Sequence, residues 1–308
     1  QDWVDTTCKQ NKIDAAVIFC SAMAQYVDKK TRLPTLIDFV DVDSAKWTQY
    51  APKHRWPMSW LYQREGQCLL AYEREVANRS TRSFFVTKAE TDLFKSLAPE
   101  CDVRVEAMCN GVDSDYFTPD ATRASPYTAD ESPIVFTGAM DYWPNVDAVT
   151  WFAQAVLPRL LIDHPETRFY IVGRSPTPEV EALAGEHIVV TGTVPDVRPF
   201  IQYAAAVVAP LRIARGIQNK ILEAMAMERP VIASSECAAA VDAIFGQELL
   251  TASTPEDYIA SINAMLGDQV QATTIGQAAR KRVIERYSWS AHMSGIDRYL
   301  SNPPTAPQ

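Results

Sequence analysis

Residues 168–192 read RFYIVGRSPTPEVEALAGEHIVVTG. Two short apolar runs, ending on Gly173 and Gly192, bracket a segment that starts near Pro178 and has helical character. Runs rich in Val, Ile and aromatic residues, separated by a helix, read as buried parallel strands of a βαβ unit. Proline suits the first helical turn, where its missing N–H would have no partner anyway. The pattern repeats on both sides: PIVFTG ends at Gly138 and AAAVVAPLRIARG at Gly216. The stretch therefore predicts strands at 133–137, 168–172, 187–191, 205–209 and 230–234, alternating with helices at 144–162, 177–184, 196–203 and 217–227. That is a doubly wound α/β domain, with its ligand outside the carboxyl ends of the strands, where the four glycines sit. The glycines serve either that ligand or ordinary left-handed turns.

The N-terminal half is less regular. Strands are predicted at 13–19, 34–39, 82–86 and 103–107, with helices at 22–29, 57–79 and 88–97, and QDWVDTTCKQNK opens the chain as the end of a helix. Four strands make a thin sheet, so one or two further βα units are expected upstream of Gln1. The domain reading is an N-terminal Rossmann-like domain over 1–117, a linker rich in Pro, Ser, Thr and Asp over 118–132, and a C-terminal domain over 133–286. Helices at 255–266, 271–286 and 289–300 follow, the last within a segment 287–308 that returns to the N-terminal domain and ends in the Pro-rich tail SNPPTAPQ.

Composition narrows the function classes. With 308 residues, 47% apolar and 22% charged, the chain is globular rather than disordered, and its length suggests two domains. No run approaches the ~20 apolar residues that span a bilayer. The six cysteines form no C-x-x-C pair and have no histidine at metal-ligand spacing, so they read as reduced thiols in a cytoplasm. A net charge of −9 and a pI near 5.0 make nucleic acid a poor partner. Any phosphate must be held by a local cluster. No G-x-S-x-G is present and the four histidines share no context, so no catalytic triad is supported. No G-x-G-x-x-G follows a strand, which sets aside a nicotinamide-dependent dehydrogenase.

The local cluster lies in 204–234. Between Ala204 and Leu222 stand Arg212, Arg215 and Lys220 with no acid, a charge of +3 at a strand end and helix start. Free N–H groups and the helix dipole add to it there. On the helix, Gly216, Asn219, Lys220 and Glu223 share a face, while Ile217, Ile221, Leu222 and Met225 take the core side. Lys220 could hold a diphosphate while Glu223 accepts ribose hydroxyls, or the two form a surface ion pair. In the N-terminal half, Asp38, Asp41 and Asp43 are close enough in sequence for a metal site, or for capping the next helix and pairing with Lys46. The segment KWTQYAPKHRWPMSWLYQREGQCLLAYERE, 46–75, combines aromatic and basic residues. It reads as a saccharide platform, as a contact with a lipid-linked acceptor at a membrane surface, or as the packing face of a long helix.

Several pieces resemble retaining glycosyltransferases of family 4: NGVDSDYF (110–117), TGAMDYWPN (137–145), RFYIVGRSP (168–176), VTGTVPDVRPF (190–200), APLRIARGIQNKILEAMAMERPVIAS (209–234) and YSWSAHMSGIDRYL (287–300). Together with IDFVDVDSAKW (37–47), they are similar to sugar transferases associated with exopolysaccharide and PEP-CTERM/exosortase loci. The resemblance implies a GT-B fold, two Rossmann-like domains facing a cleft, with the N-terminal one incomplete here. It implies transfer of a sugar from a nucleoside diphosphate donor to a saccharide acceptor, lipid-linked, with retention, and without metal or other cofactor. It places the protein in the cytoplasm, peripheral at the inner membrane. Glu223 matches the second glutamate of the family's E-x(7)-E motif, which binds the donor ribose. Lys220 and Arg215 would hold the diphosphate and stabilise its departure, Gly192 to Val194 would lie against the base, and Gly138, Asn145 and Gly173 would border the donor. Arg215 stands where the motif's first glutamate, a contact of the transferred sugar, is expected, and the usual Arg and Lys after the first strand are missing. Arg174, Arg212 and Arg215 are the candidates to replace that charge. Asp41 falls near the place of a polar residue that faces the reacting sugar. The alternative is a GT-B scaffold that binds nucleotide or polysaccharide without turnover.

Overall fold

The computed structural model describes residues 1–28, 33–108, 110–213 and 216–301. The chain divides into two compact units, Gln1–Cys109 with His292–Gln308, and Asn110–Ala291.

The first unit begins with α1 (Asp2–Gln10), none of whose residues is buried. It continues through β1 (Ala16–Phe19), β2 (Thr35–Val40), α2 (Asp43–Tyr50), α3 (Met58–Arg79), β3 (Arg82–Phe85), α4 (Lys88–Leu97) and β4 (Val105–Ala107). The four strands are parallel in the order β1-β2-β3-β4. Phe39, Phe85 and Phe94 stack at its centre with centroids 4.7–5.8 Å apart, among Ile37, Val76 and Val105. Each contributes a large buried apolar surface, the main stabilising term here. Two sequence expectations change. Residues 22–29 do not form an α-helix: Ser21–Tyr26 winds into a tighter 3-10 turn, and residue 29 lies outside the described residues. The helix α2 was not predicted, because its eight residues carry little apolar periodicity. It forms against α3, where the backbones come close at Gly66. A Cβ there would overlap the Thr48 hydroxyl.

The second unit contains β5 (Ser132–Thr137) and α5 (Trp143–Trp151), which passes through a π-helical turn, Phe152–Val156, into α6 (Leu157–Asp163). It continues with β6 (Thr167–Val172), α7 (Pro178–Glu181), β7 (Ile188–Gly192), α8 (Arg198–Gln202), β8 (Ala206–Ala209), α9 (Asn219–Ala226) and β9 (Val231–Ser234). Then follow α10 (Ser235–Ala238), β10 (Leu250–Ala252), α11 (Pro255–Gly267), α12 (Gln269–Arg286) and α13 (Trp289–Ser301). The predicted strands are all present. The three-residue β10 is an addition that pairs in parallel with β9 and makes the sheet six-stranded, β10-β9-β8-β5-β6-β7. From β5 the chain runs outward through β6 and β7, then returns to the other side of β5 with β8 and continues outward to β10. The strand order reverses between β5 and β8, and a crevice opens at such a switch point.

Residues 118–132 were expected to be a linker and are instead packed on the second unit. Gln202 accepts from the Asp120 N–H at 3.1 Å and donates to the Asp120 carbonyl at 2.8 Å, and the Tyr127 hydroxyl donates to the Phe200 carbonyl at 2.6 Å. The boundary falls at Cys109/Asn110, well before the polar stretch, because these side chains satisfy its backbone. From His292 on, α13 counts with the first unit, where Tyr299 is buried against Leu36 and Phe84 and donates to Glu106 at 2.5 Å. Residues 302–308 of the Pro-rich tail lie outside the described residues.

Candidate functional site

The crevice at the β5/β8 switch point is a cavity of about 630 Å³ lined from the loops that follow β5, β6 and β7 and from the start of α9. Chain geometry brings four separated sequence pieces there. Gly138 follows β5, Asn145 lies in the first turn of α5, Gly173 and Arg174 follow β6, Val194 follows β7, and Asn219, Lys220 and Glu223 come from α9. Of the sequence-predicted donor residues, these eight line the cavity. Gly192, Gly216 and Arg212 do not, and Arg215 lies outside the described residues.

The four strand-end glycines have two different causes. Gly192 and Gly216 adopt φ of 66° and 67°, the left-handed region that glycine enters without steric cost. Gly138 and Gly173 are required by close approach. A Cβ on Gly173 would overlap the Gly138 carbonyl, and one on Gly138 would lie 2.7 Å from Asn145 Nδ2 and 3.1 Å from Lys220 Nζ. The lack of a side chain on Gly138 leaves room for the Asn145 amide, which bonds the Ala139 carbonyl, and for the Lys220 ammonium beside it.

Lys220 is the electrostatic centre. Its Nζ donates to Asn145 Oδ1 at 2.7 Å and sits 3.8 Å from the centroid of the Phe136 ring. Asn145 is itself fixed by donating from Nδ2 to the Ala139 carbonyl at 2.8 Å. An amide oxygen and an aromatic face are weaker partners than a carboxylate, so burial dominates and lowers the ammonium from its usual 10.5 to about 7, with Cys237 and Glu223 opposing the fall. Glu223, one turn further along α9, is held above the usual carboxylate range by burial, with Lys220 pulling it down. No described residue hydrogen-bonds its carboxylate. Thr137 Oγ1, also on the cavity wall, is buried without a hydrogen-bond partner among the described residues. A cation, a carboxylate and a hydroxyl thus converge on one crevice with hydrogen-bonding capacity unspent, and each is costly to bury in that state. The site is matched to an anionic ligand that also carries hydroxyls.

Arg212 departs from expectation. It is half exposed and turned to Asp147, with Nε at 3.0 Å from Oδ2 and a second, shorter bond to Oδ1. The acid four residues after Trp143 holds the guanidinium outside the cavity. The composition count of +3 did not reveal this, because Asp147 comes from another element. Asp41 belongs to the first unit. It follows β2 and forms an ion pair with Lys46 at 2.8 Å, which Asp43 shares at 3.0 Å. The pairing alternative for these acids therefore applies, whereas the side chain of the residue capping α2, Val42, makes no cap bond. Among the described residues, no three His, Cys, Asp or Glu stand together as a metal site. Thr193, within the Gly192 to Val194 span expected near the base, is on the cavity wall, whereas reading the sequence missed Thr137 and Gln218 there and Asn110, which donates to Asn219 at 3.4 Å. The quoted motifs contained all three, but none carried a charge to single it out.

Residues 131–268 match the family described as Glycosyl transferases group 1. This stretch contains every strand of the six-stranded sheet and nearly the whole cavity, and it makes up a little under half of the chain. Among solved structures, the chain is similar to Anabaena Alr3699/HepE in complex with UDP, at 17% identity and a TM-score of 0.69 over 97% of this chain and 81% of that one. It is similar to a sucrose-phosphate synthase from Thermosynechococcus elongatus, at 16% identity and a TM-score of 0.68 over 97% and 77%. A glycosyltransferase from Rickettsia africae gives 12% identity and a TM-score of 0.64 over 94% and 100%. At these identities the likeness is one of fold. The fold is GT-B, built from two parallel-sheet α/β units. No curated protein sequence matches the chain.

Proposed function

We propose that the protein is a retaining glycosyltransferase of family 4 that moves a hexose from a nucleoside diphosphate sugar to a lipid-linked saccharide in exopolysaccharide biosynthesis. The observation that carries the reading is the pair Lys220 and Glu223 in the switch-point cavity, with Asn145 and the bare Gly138 backbone beside them. The diphosphate of the donor would lie against Lys220, the free N–H groups at the start of α9 and the loop after β5. Its arrival would supply the negative charge that the buried ammonium lacks. Glu223 would accept hydrogen bonds from the ribose, with the base near Val194 and Thr193 and with Arg174 beside the phosphates. Catalysis is electrostatic. As the bond from the anomeric carbon to the diphosphate oxygen breaks, that oxygen takes the electron pair, and Lys220 with the α9 terminus stabilises the developing charge. The acceptor hydroxyl forms the new bond to the anomeric carbon and passes its proton to the departing diphosphate oxygen. Asp41 and the first unit are assigned to the acceptor side by resemblance, as are the cytoplasmic and inner-membrane location and independence from metal.

One sequence fact favours a second reading, a scaffold that binds nucleotide without turnover: Arg215 replaces the acid that contacts the transferred sugar in the family. One experiment separates the two. The protein is incubated, metal-free, with UDP- and GDP-hexoses and a polyprenyl-diphosphate-linked saccharide, and the products are read by mass spectrometry and NMR. A glycosylated lipid with the donor's anomeric configuration, lost in Glu223→Ala and weakened in Asp41→Asn, is the expected result. Nucleotide binding without product favours the scaffold, and a product of inverted configuration refutes retention.

A further inference from the structure

The turn between α2 and α3 in the first unit presents a surface that the donor site does not use. Trp56 is 80% exposed and Trp60 59%, and Trp47, Tyr50, Met58 and Leu61 are exposed around them. Side chains of this size on water are unfavourable, and so many within one short run form a patch rather than a scatter. The patch is held stiffly. Tyr62 lies beneath it with ring centroids 4.8 Å from His54, 5.5 Å from Trp47 and 6.3 Å from Tyr50, and the close packing of α2 on α3 at Gly66 fixes the two helices. The charge is one-sided. Between Ser44 and Arg64 the chain carries Lys46, Lys53, Arg55 and Arg64 and no acid, in a protein of net charge −9. Lys46 and Arg64 bond to acids outside that run, Asp41, Asp43 and Glu65, while His54 and Arg55 stand exposed next to Trp56.

We propose that this exposed aromatic and basic face at the α2–α3 turn docks onto the headgroup region of an anionic lipid bilayer. Indole rings partition to that region because they pair an apolar body with an N–H donor, and Lys and Arg beside them are drawn to the negative surface. The exposed run 54–61, HRWPMSWL, has neither the carboxylates nor the amides with which a saccharide platform would add hydrogen bonds to its indoles. A bilayer needs no such partners. Since Trp47 and Tyr50 already pack on Tyr62, docking costs little of their side-chain entropy. Among the described residues, no helix is long and apolar enough to cross a membrane, so this contact is interfacial. The inference stands apart from the donor reading, because it depends only on the first unit.

The test is co-sedimentation with sucrose-loaded vesicles of phosphatidylcholine, alone or with about a third phosphatidylglycerol, using wild type, Trp56→Ser/Trp60→Ser and Arg55→Glu. Circular dichroism and a UDP titration on each sample report folding and the donor site separately. Wild type is expected to sediment with the anionic vesicles, and less so as salt rises. The double variant is expected to lose more than about tenfold in partitioning. Each charge at such a surface changes binding about fivefold, so Arg55→Glu, which alters two, loses roughly 25-fold. Folded wild type that stays in the supernatant overturns the proposal, as do variants that sediment equally well. Self-association that the tryptophan substitutions abolish, or quenching of the indoles by a polysaccharide, in the absence of vesicle binding also overturns it, in favour of a second copy or a saccharide.

Discussion

Lys220 holds its proton poorly in the ligand-free protein, and the consequence can be measured without any substrate. Burial lowers its ammonium to about 7 from the usual 10.5. The unfolded chain therefore binds more protons than the folded one between those two values, and stability must rise with pH across that window. At about 1.4 kcal/mol per pH unit, reduced near pH 7 where the group is half titrated, the rise from pH 7 to pH 9 is about 2 kcal/mol. The perturbation is Lys220→Met, which keeps the length of the side chain and removes the titrating group. Urea unfolding of both proteins at pH 7, 8 and 9, followed by circular dichroism, gives the difference between them at each pH. Other titrating groups, such as the buried thiols, are common to both and cancel. The wild type should gain about 2 kcal/mol on the variant over the window, and most of this gain should disappear when UDP is saturating, because the diphosphate restores the proton. Parallel pH profiles of the two proteins would refute the reasoning: Lys220 would then be solvated and ordinary, and the electrostatic centre of the site would be lost.

Three further outcomes follow from particular contacts. Gly138→Ala places a methyl 2.7 Å from the Asn145 amide and 3.1 Å from the Lys220 ammonium, so it should weaken UDP binding at least about tenfold by calorimetry while costing only about 1–3 kcal/mol of stability. Arg212→Ala should leave UDP affinity within about twofold, since a guanidinium held by Asp147 contributes little beyond a surface ion pair; a tenfold loss would return Arg212 to the donor site. Glu73 is fully buried, accepts from the Ser44 N–H at 3.2 Å and the Ser44 hydroxyl at 2.5 Å, and is raised by burial from 4.5 to about 7. Its protonated form favours the fold, so wild type should lose about 2 kcal/mol relative to Glu73→Gln between pH 5 and pH 7 in urea unfolding, and equal slopes would show the carboxyl ionised throughout.

What the sequence revealed depended on how local the cause was. Five of the six strands of the second unit were legible because each is a short apolar run; in β5 and β6, PIVFT and FYIV are buried on both faces and followed directly by glycine. The eight donor residues that line the cavity followed from a topological rule: parallel strands point their loops to one end, so separated motifs meet there. Pairings across elements were not legible. Asp147 removes Arg212 from the cavity, and Asn145 rather than an acid receives Lys220. Glu73 sits in a helix whose sequence gives no sign that Ser44 would bury it. The same limit explains the misplaced linker: Pro, Ser, Thr and Asp in 118–132 read as a tether, but Gln202 and the Phe200 carbonyl satisfy the segment and pack it. The short α2 was missed because packing on α3, rather than periodicity, makes it helical.

The central claim is that Lys220 and Glu223 hold the diphosphate and ribose of a nucleotide in the switch-point cavity. Calorimetric titration of the metal-free protein with UDP and with GDP, beside Lys220→Ala and Glu223→Ala, tests it most directly. Saturable binding of one nucleotide, abolished in both variants and accompanied by proton uptake that shows as a dependence of the enthalpy on the buffer, is the predicted result. Binding that survives in both variants, or none to either nucleotide by a folded wild type, would contradict it.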